Sequence, residues 1–68
     1  MSNIRNRAKF GYYNAVNNKL FIDYDETDIS KDAFYSYLYT KDILKRRFEL
    51  GEKSISSSEY RHQYILIL

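Results

Sequence analysis

Ala8 to Asp25 reads A-K-F-G-Y-Y-N-A-V-N-N-K-L-F-I-D-Y-D, and the way this stretch pairs decides the fold expected of the chain. Two aromatic-aliphatic runs flank Asn17-Asn18, and Asn tolerates the positive backbone angles of a two-residue hairpin turn. A turn centred there sets Ala15 opposite Leu20, Tyr13 opposite Ile22 and Gly11 opposite Tyr24. Tyr13, Ala15, Leu20, Ile22 and Tyr24 then share one face, the expected core face, while Phe10, Tyr12, Asn14, Phe21 and Asp23 share the other. An isolated hairpin is marginal in water, so it has to pack on a helix further along the chain. The fold class expected is therefore α+β: an N-terminal β-hairpin over 8–25 packed on a central helix, followed by a short C-terminal helix, in the order ββαα.

Upstream, Met1 to Arg7 is polar and without periodicity, which predicts a flexible leader ahead of a single small domain over 8–68. Downstream, Asp23-Tyr24-Asp25-Glu26-Thr27-Asp28 alternates oxygen ligands as a hard cation would need. Its spacing fails for a calcium loop, because Asp28 falls where glycine is required and Phe34 where the bidentate glutamate belongs. A solvated turn is the plainer reading. Ser30 can cap a helix over 30–50, with a break near Thr40 as an open alternative, since Thr40 is itself a usable cap. At helical pitch Phe34, Tyr37, Leu38, Leu44 and Phe48 fall on one side and Tyr35, Tyr39, Ile43 and Leu50 on the other. Such a helix is either sandwiched, broken, or free to offer one stripe to a partner. The alternation Tyr35, Tyr37, Tyr39 also suits a strand.

Gly51 follows Leu50 where a helix needs a left-handed residue to stop. Ser56 and Glu59 then form a reciprocal capping box, with Ile55 and Tyr60 as its hydrophobic staple, which predicts a helix over 56–68. Tyr60, Tyr64, Ile67 and Leu68 would lie against Leu44 and Phe48. This run resembles the short C-terminal domain family, in which an apolar-spaced helix ends at glycine and a hydrophobic-Ser/Thr-x-x-Glu-aromatic segment opens a second helix. Leu44, Phe48, Gly51, Ile55, Ser56, Glu59, Tyr60 and Leu68 carry the resemblance over 43–68. The connector from Gly51 to Ile55 is longer than that family's, and the tail Ile65 to Leu68 is more apolar. The resemblance implies a small helical module that mediates oligomerisation or contacts, without catalysis.

At 68 residues the chain is near the lower limit for a core without metals or disulfides, and it has no cysteine to supply either thiolate ligands or cross-links. Eight tyrosines and four phenylalanines must build much of that core, and buried tyrosine hydroxyls need partners or water. No apolar run is long enough to span a membrane, and no secretory signal opens the chain, so a cytoplasmic setting is expected. His62 is the sole histidine; Ser58, Glu59 and His62 could be drawn as a triad, but the spacing is commonplace and Glu59 is better used in the cap. No enzyme, cofactor or metal is expected.

The expected function is protein interaction or oligomerisation through aromatic and aliphatic surfaces, with Tyr35, Tyr39, Ile43, Tyr64, Ile65, Leu66 and Leu68 as candidate contact residues. A composition rich in Tyr, Asn, Lys and Ile associates the chain with AT-rich genomes, phage and mobile elements included, and so with an inhibitor that occludes a host protein. The second reading is nucleic-acid binding. Arg5, Arg7 and Lys9 stand beside Phe10, Tyr12 and Tyr13, and Lys45, Arg46 and Arg47 beside Phe48, combining phosphate-binding cations with stacking rings.

Overall fold

The computed structural model describes residues 3–17 and 22–68, and every regular element among them is helical. In chain order these are α1 (Asn3–Val16), α2 (Ile22–Ser30), α3 (Ala33–Leu38), a π-helical extension of α3 (Tyr39–Leu44), α4 (Glu49–Ser56) and α5 (Arg61–Ile67). The fold is all-α, which overturns the α+β expectation. The hairpin expected over 8–25 is instead α1 and the start of α2, and its turn residue Asn18 lies outside the described residues, as do Leu20 and Phe21.

The reason lies in which small residues share a face. On a strand, Ala8 would point away from Gly11 and Ala15; on a helix the three stack at i, i+3 and i+7. All three are buried against the body of the protein. A Cβ at Gly11 would sit 2.9 Å from the Asp25 carbonyl and 3.1 Å from the Ile29 side chain, so the backbone of α2 approaches where only a hydrogen fits. Ile29, fully buried, fills the space below. Asn14 Nδ2 donates to Asp25 Oδ2 at 3.1 Å along the same seam. Asp25 and Glu26 thus belong to a helix rather than to a solvated turn. Helix α1 also takes in residues 3–7, the stretch expected to be a loose leader.

Asp32, not Ser30, caps α3: its Oδ2 accepts from the Tyr35 N–H at 3.0 Å, while Oδ1 accepts from Arg5 Nε at 3.0 Å. One carboxylate therefore starts α3 and ties it to α1. Ser30 closes α2 instead. The carbonyls at that helix end are satisfied by hydroxyls from elsewhere, Ser36 Oγ donating to Ile29 O and Ser54 Oγ to Ser30 O. Thr40 is no cap either; it is buried and donates its hydroxyl to Ser36 O at 2.9 Å.

The helix stops at Lys45, whose left-handed backbone (φ 55°) follows a wide turn in which its N–H bonds to Thr40 O, five residues back. That wide turn resolves the two-faced pattern. With more than four residues per turn, Tyr39, Ile43 and Leu44 all reach one core, formed by Ala15, Ile29, Tyr39 and Phe48. The Tyr39 and Phe48 rings meet edge-on, with centroids 5.0 Å apart at 73°.

Gly51 does not end a helix. It lies inside α4, where a Cβ would come within 2.6 Å of the Phe48 ring and 2.7 Å of Ser36 Oγ. The capping box is absent as well: α4 runs to Ser56, and Ser58 Oγ donates to Ile55 O and accepts from the Tyr60 N–H. Helix α5 then begins at Arg61 rather than Ser56. The Cα trace measures 28 × 27 × 15 Å, so its short axis spans about two helix layers, each about 4.6 Å across at the Cα atoms with axes about 8–10 Å apart.

Candidate functional site

Helix α5 is fastened by one side chain. Tyr64 is 5% exposed, and its hydroxyl accepts from the Phe48 N–H at 3.0 Å while donating to Glu52 Oε2 at 2.7 Å. Glu52 in turn receives a two-pronged bond from Arg47, Nε to Oε2 at 2.5 Å and Nη2 to Oε1 at 3.0 Å. Arg47, and next to it Tyr64, hold the Glu52 carboxyl below its ordinary range. Burial first, then the bond to Glu52, pushes the Tyr64 phenol up. The anchor is thus a neutral phenol on an ionised carboxylate across the neutral pH range.

With Tyr64 turned inward, its neighbours turn out. Ile65, Leu66 and Leu68 are 59%, 72% and 60% exposed. Ile65 and Leu68 border an open cleft of about 400 Å³ whose other walls are Arg47, Glu52, Ser56, Arg61 and Tyr64 itself. A second open cleft, between Glu26, Leu44 and the 46–50 segment, includes Leu50, which is 56% exposed. Apolar side chains in water beside a charged rim are the usual anatomy of a contact surface.

The other aromatic feature is a line of rings across α1, α3 and Tyr60. Tyr13, Tyr12, Tyr35, Phe34, Tyr60 and Tyr37 follow one another with centroid separations of 6.0, 5.8, 5.0, 5.7 and 5.4 Å. The Arg5 guanidinium lies over Phe34 and Tyr35, and Lys9 Nζ is 5.8 Å from the Tyr13 centroid. Tyr12 donates to Asp42 Oδ2 at 2.9 Å; burial, with that bond second, pushes its phenol up to about 12.

The seven contact residues expected from sequence therefore separate. Tyr39 is core, its hydroxyl donating to Glu26 at 2.6 Å. Ile43 packs against that core, Tyr35 belongs to the line of rings, and Tyr64 is the anchor. Of the seven, Ile65, Leu66 and Leu68 are the ones that stand together in solvent. Of the six cations, Arg5 is paired with Asp32 and Arg47 with Glu52 and Glu49. Arg7, Lys9, Lys45 and Arg46 are exposed. Sequence reasoning missed Arg61 on the cleft rim, and missed that Phe10 and Tyr13 share the outer side of α1. The signal for the second was the Ala8-Gly11-Ala15 stripe, which fixes the buried side of that helix and hence the opposite one.

His62 is exposed, and Ser58 spends its hydroxyl on Ile55 and Tyr60, so the Ser58, Glu59, His62 grouping is not assembled as a relay. Among the described residues no helix is long and apolar enough to cross a membrane, and no cluster of His, Asp and Glu has the makings of a metal site. Compared with known proteins, the chain matches no family model, no curated protein and no solved structure. Of the signals behind the resemblance to the short C-terminal domain, Gly51 lies within α4 and the second helix opens at Arg61 rather than Ser56. The phage-inhibitor reading rested on composition, and neither the fold nor the comparisons lend it a residue or a relative.

Proposed function

We propose that this protein is a small interaction module whose contact element is α5, and that its first partner is a second copy of itself. The observation that supports this is the division of labour within one helix: Tyr64 holds α5 to the body while Ile65, Leu66 and Leu68 face water. A chain of 68 residues has a small core, and covering those three side chains removes apolar surface that folding alone leaves wet. The exposed Arg61 adds a charged edge to that patch, as the rim of a contact surface does. The absence of cysteine suits a reducing, cytoplasmic setting.

Sedimentation equilibrium from low micromolar to millimolar concentration is the test. The wild type should rise above its monomer mass of 8.2 kDa, and the variant carrying Ile65→Ser, Leu66→Ser and Leu68→Ser should remain at it with its melting curve retained. A wild type that stays monomeric throughout would defeat self-association.

A further inference from the structure

The bend between α4 and α5 is made by residues 57–60, and its hydrogen bonds stay within the neighbouring chain. Ser57 Oγ donates to Lys53 O, Ser58 Oγ donates to Ile55 O, and the Tyr60 N–H donates to Ser58 Oγ. The Arg61 N–H closes a turn on Ser58 O at 3.4 Å, and Tyr60, with φ −87° and ψ −1°, holds the third position of a type I turn. Helix α5 opens without a side-chain cap, and residues 52–68 include neither glycine nor proline. The sequence therefore lets α4 and α5 join as one helix, which would pair the backbone groups that the bend leaves at their two ends.

In one continuous helix Tyr64, nine residues beyond Ile55, lies about 180° round from it. Ile55 is fully buried on the side of α4 that packs on the body, so Tyr64 would point away from the Phe48 and Glu52 that it now holds. That phenol and its two partners can then meet only between copies. We propose that this protein forms its dimer by exchanging the segment 60–68, so that Tyr64 of each copy accepts from the Phe48 N–H and donates to the Glu52 carboxylate of the other. The proposal rests on self-association through α5 and specifies how the two copies meet. Contacts already present select the occupant: the segment holds the body through Tyr60, stacked on Tyr37 at 5.4 Å, and through Tyr64, and a second copy offers both sites unchanged. The continuous helix also sets Leu50, Ser57 and Leu68 within about 20° of one line, about 100° or more from the buried Gly51 and Ile55. Leu50 and Leu68, now exposed on separate helices, would thus share the side on which Tyr64 reaches the second copy.

Isotope-filtered NOE spectroscopy tests this without any substitution: labelled and unlabelled full chains are unfolded together in urea and refolded at millimolar concentration. Contacts between Tyr64 and Phe48 should then cross from labelled to unlabelled chains. Glu59→Pro gives a second readout, because Glu59 holds the second position of the type I turn, where proline is favoured, whereas the interior of a continuous helix rejects it. In sedimentation the variant should raise the dimer dissociation constant at least about a hundredfold, while the dilute protein keeps its melting curve. A dimer in which Tyr64 meets Phe48 only within its own chain, or a Glu59→Pro variant that dimerises as the wild type does, would overturn the exchange and leave contact through Ile65, Leu66 and Leu68 standing. A wild type that stays monomeric would overturn both.

Discussion

Where α1 meets α2, the stripe Ala8, Gly11, Ala15 brings backbone against backbone with no room for a side chain; where α5 meets the body, a single phenol reaches across to a backbone N–H and a carboxylate. The first junction is a matter of volume and the second of proton and charge. Close-packed seams respond to added atoms because neither side can yield, whereas a hydrogen-bonded anchor responds to the loss of one donor. The two ends of this small chain should therefore fail under different insults, and by different amounts.

The largest effect is expected at the seam. Gly11→Leu places a Cβ 2.9 Å from the Asp25 carbonyl, a backbone atom that cannot swing aside, and should cost about 3 kcal/mol, read as a fall in the urea midpoint. If the variant were as stable as the wild type, the two helices would have to sit farther apart than described. Next comes the anchor. Tyr64→Phe keeps the ring and removes the hydroxyl, so Phe48 N–H loses its acceptor and Glu52 one donor, a loss of about 1–2 kcal/mol. Amide exchange should quicken in α5 while the protected amides of α1 hold; uniform quickening would mean the junctions are not separable.

The smallest effect is a response to acid. The Glu52 carboxyl is held below its ordinary range by Arg47 and then Tyr64, and Asp42 by the bond from Tyr12. The unfolded chain therefore takes up these protons first as pH falls. The stability they contribute is complete above the ordinary carboxylate range and is lost as pH drops through the lower folded values. Thermal melts should decline over that acid window, and Glu52→Gln should shrink the decline; an acid profile unchanged by that substitution would remove Glu52 from the anchor's energetics. Both groups are near the surface, so the change is modest.

Some of this was legible in the residues. The small, cysteine-free, Tyr-rich composition and helices in the middle and near the C-terminus could be read directly, whereas the Tyr35, Tyr37, Tyr39 alternation left a strand open there, and Leu68, expected against Leu44 and Phe48, is exposed. The first helix could not be read in the same way, because Phe10, Tyr12 and Tyr13 favour strands and Asn17-Asn18 favours a turn. The override is tertiary: Gly11, a poor residue for either element, is selected by the approach of α2. Gly51 misled for the same reason, since a glycine needed for room beside Phe48 looks in sequence like one needed for a left-handed stop. Asp32 and Tyr64 were hidden because their partners, Arg5 and Phe48, are 27 and 16 residues away.

The wide turn over Tyr39–Leu44 makes the chain unusually sensitive to its own length at one place. The i to i−5 bond from Lys45 to Thr40 stores one residue more than an ordinary helical turn would hold. One further residue inserted there would find no second wide turn to absorb it and would rotate everything downstream by about 100° relative to α3, carrying Phe48 away from Tyr39 and Gly51 away from Ser36. Relatives of this protein should vary freely in the side chain at the exposed Lys41 but accept no further residue between Ser36 and Phe48.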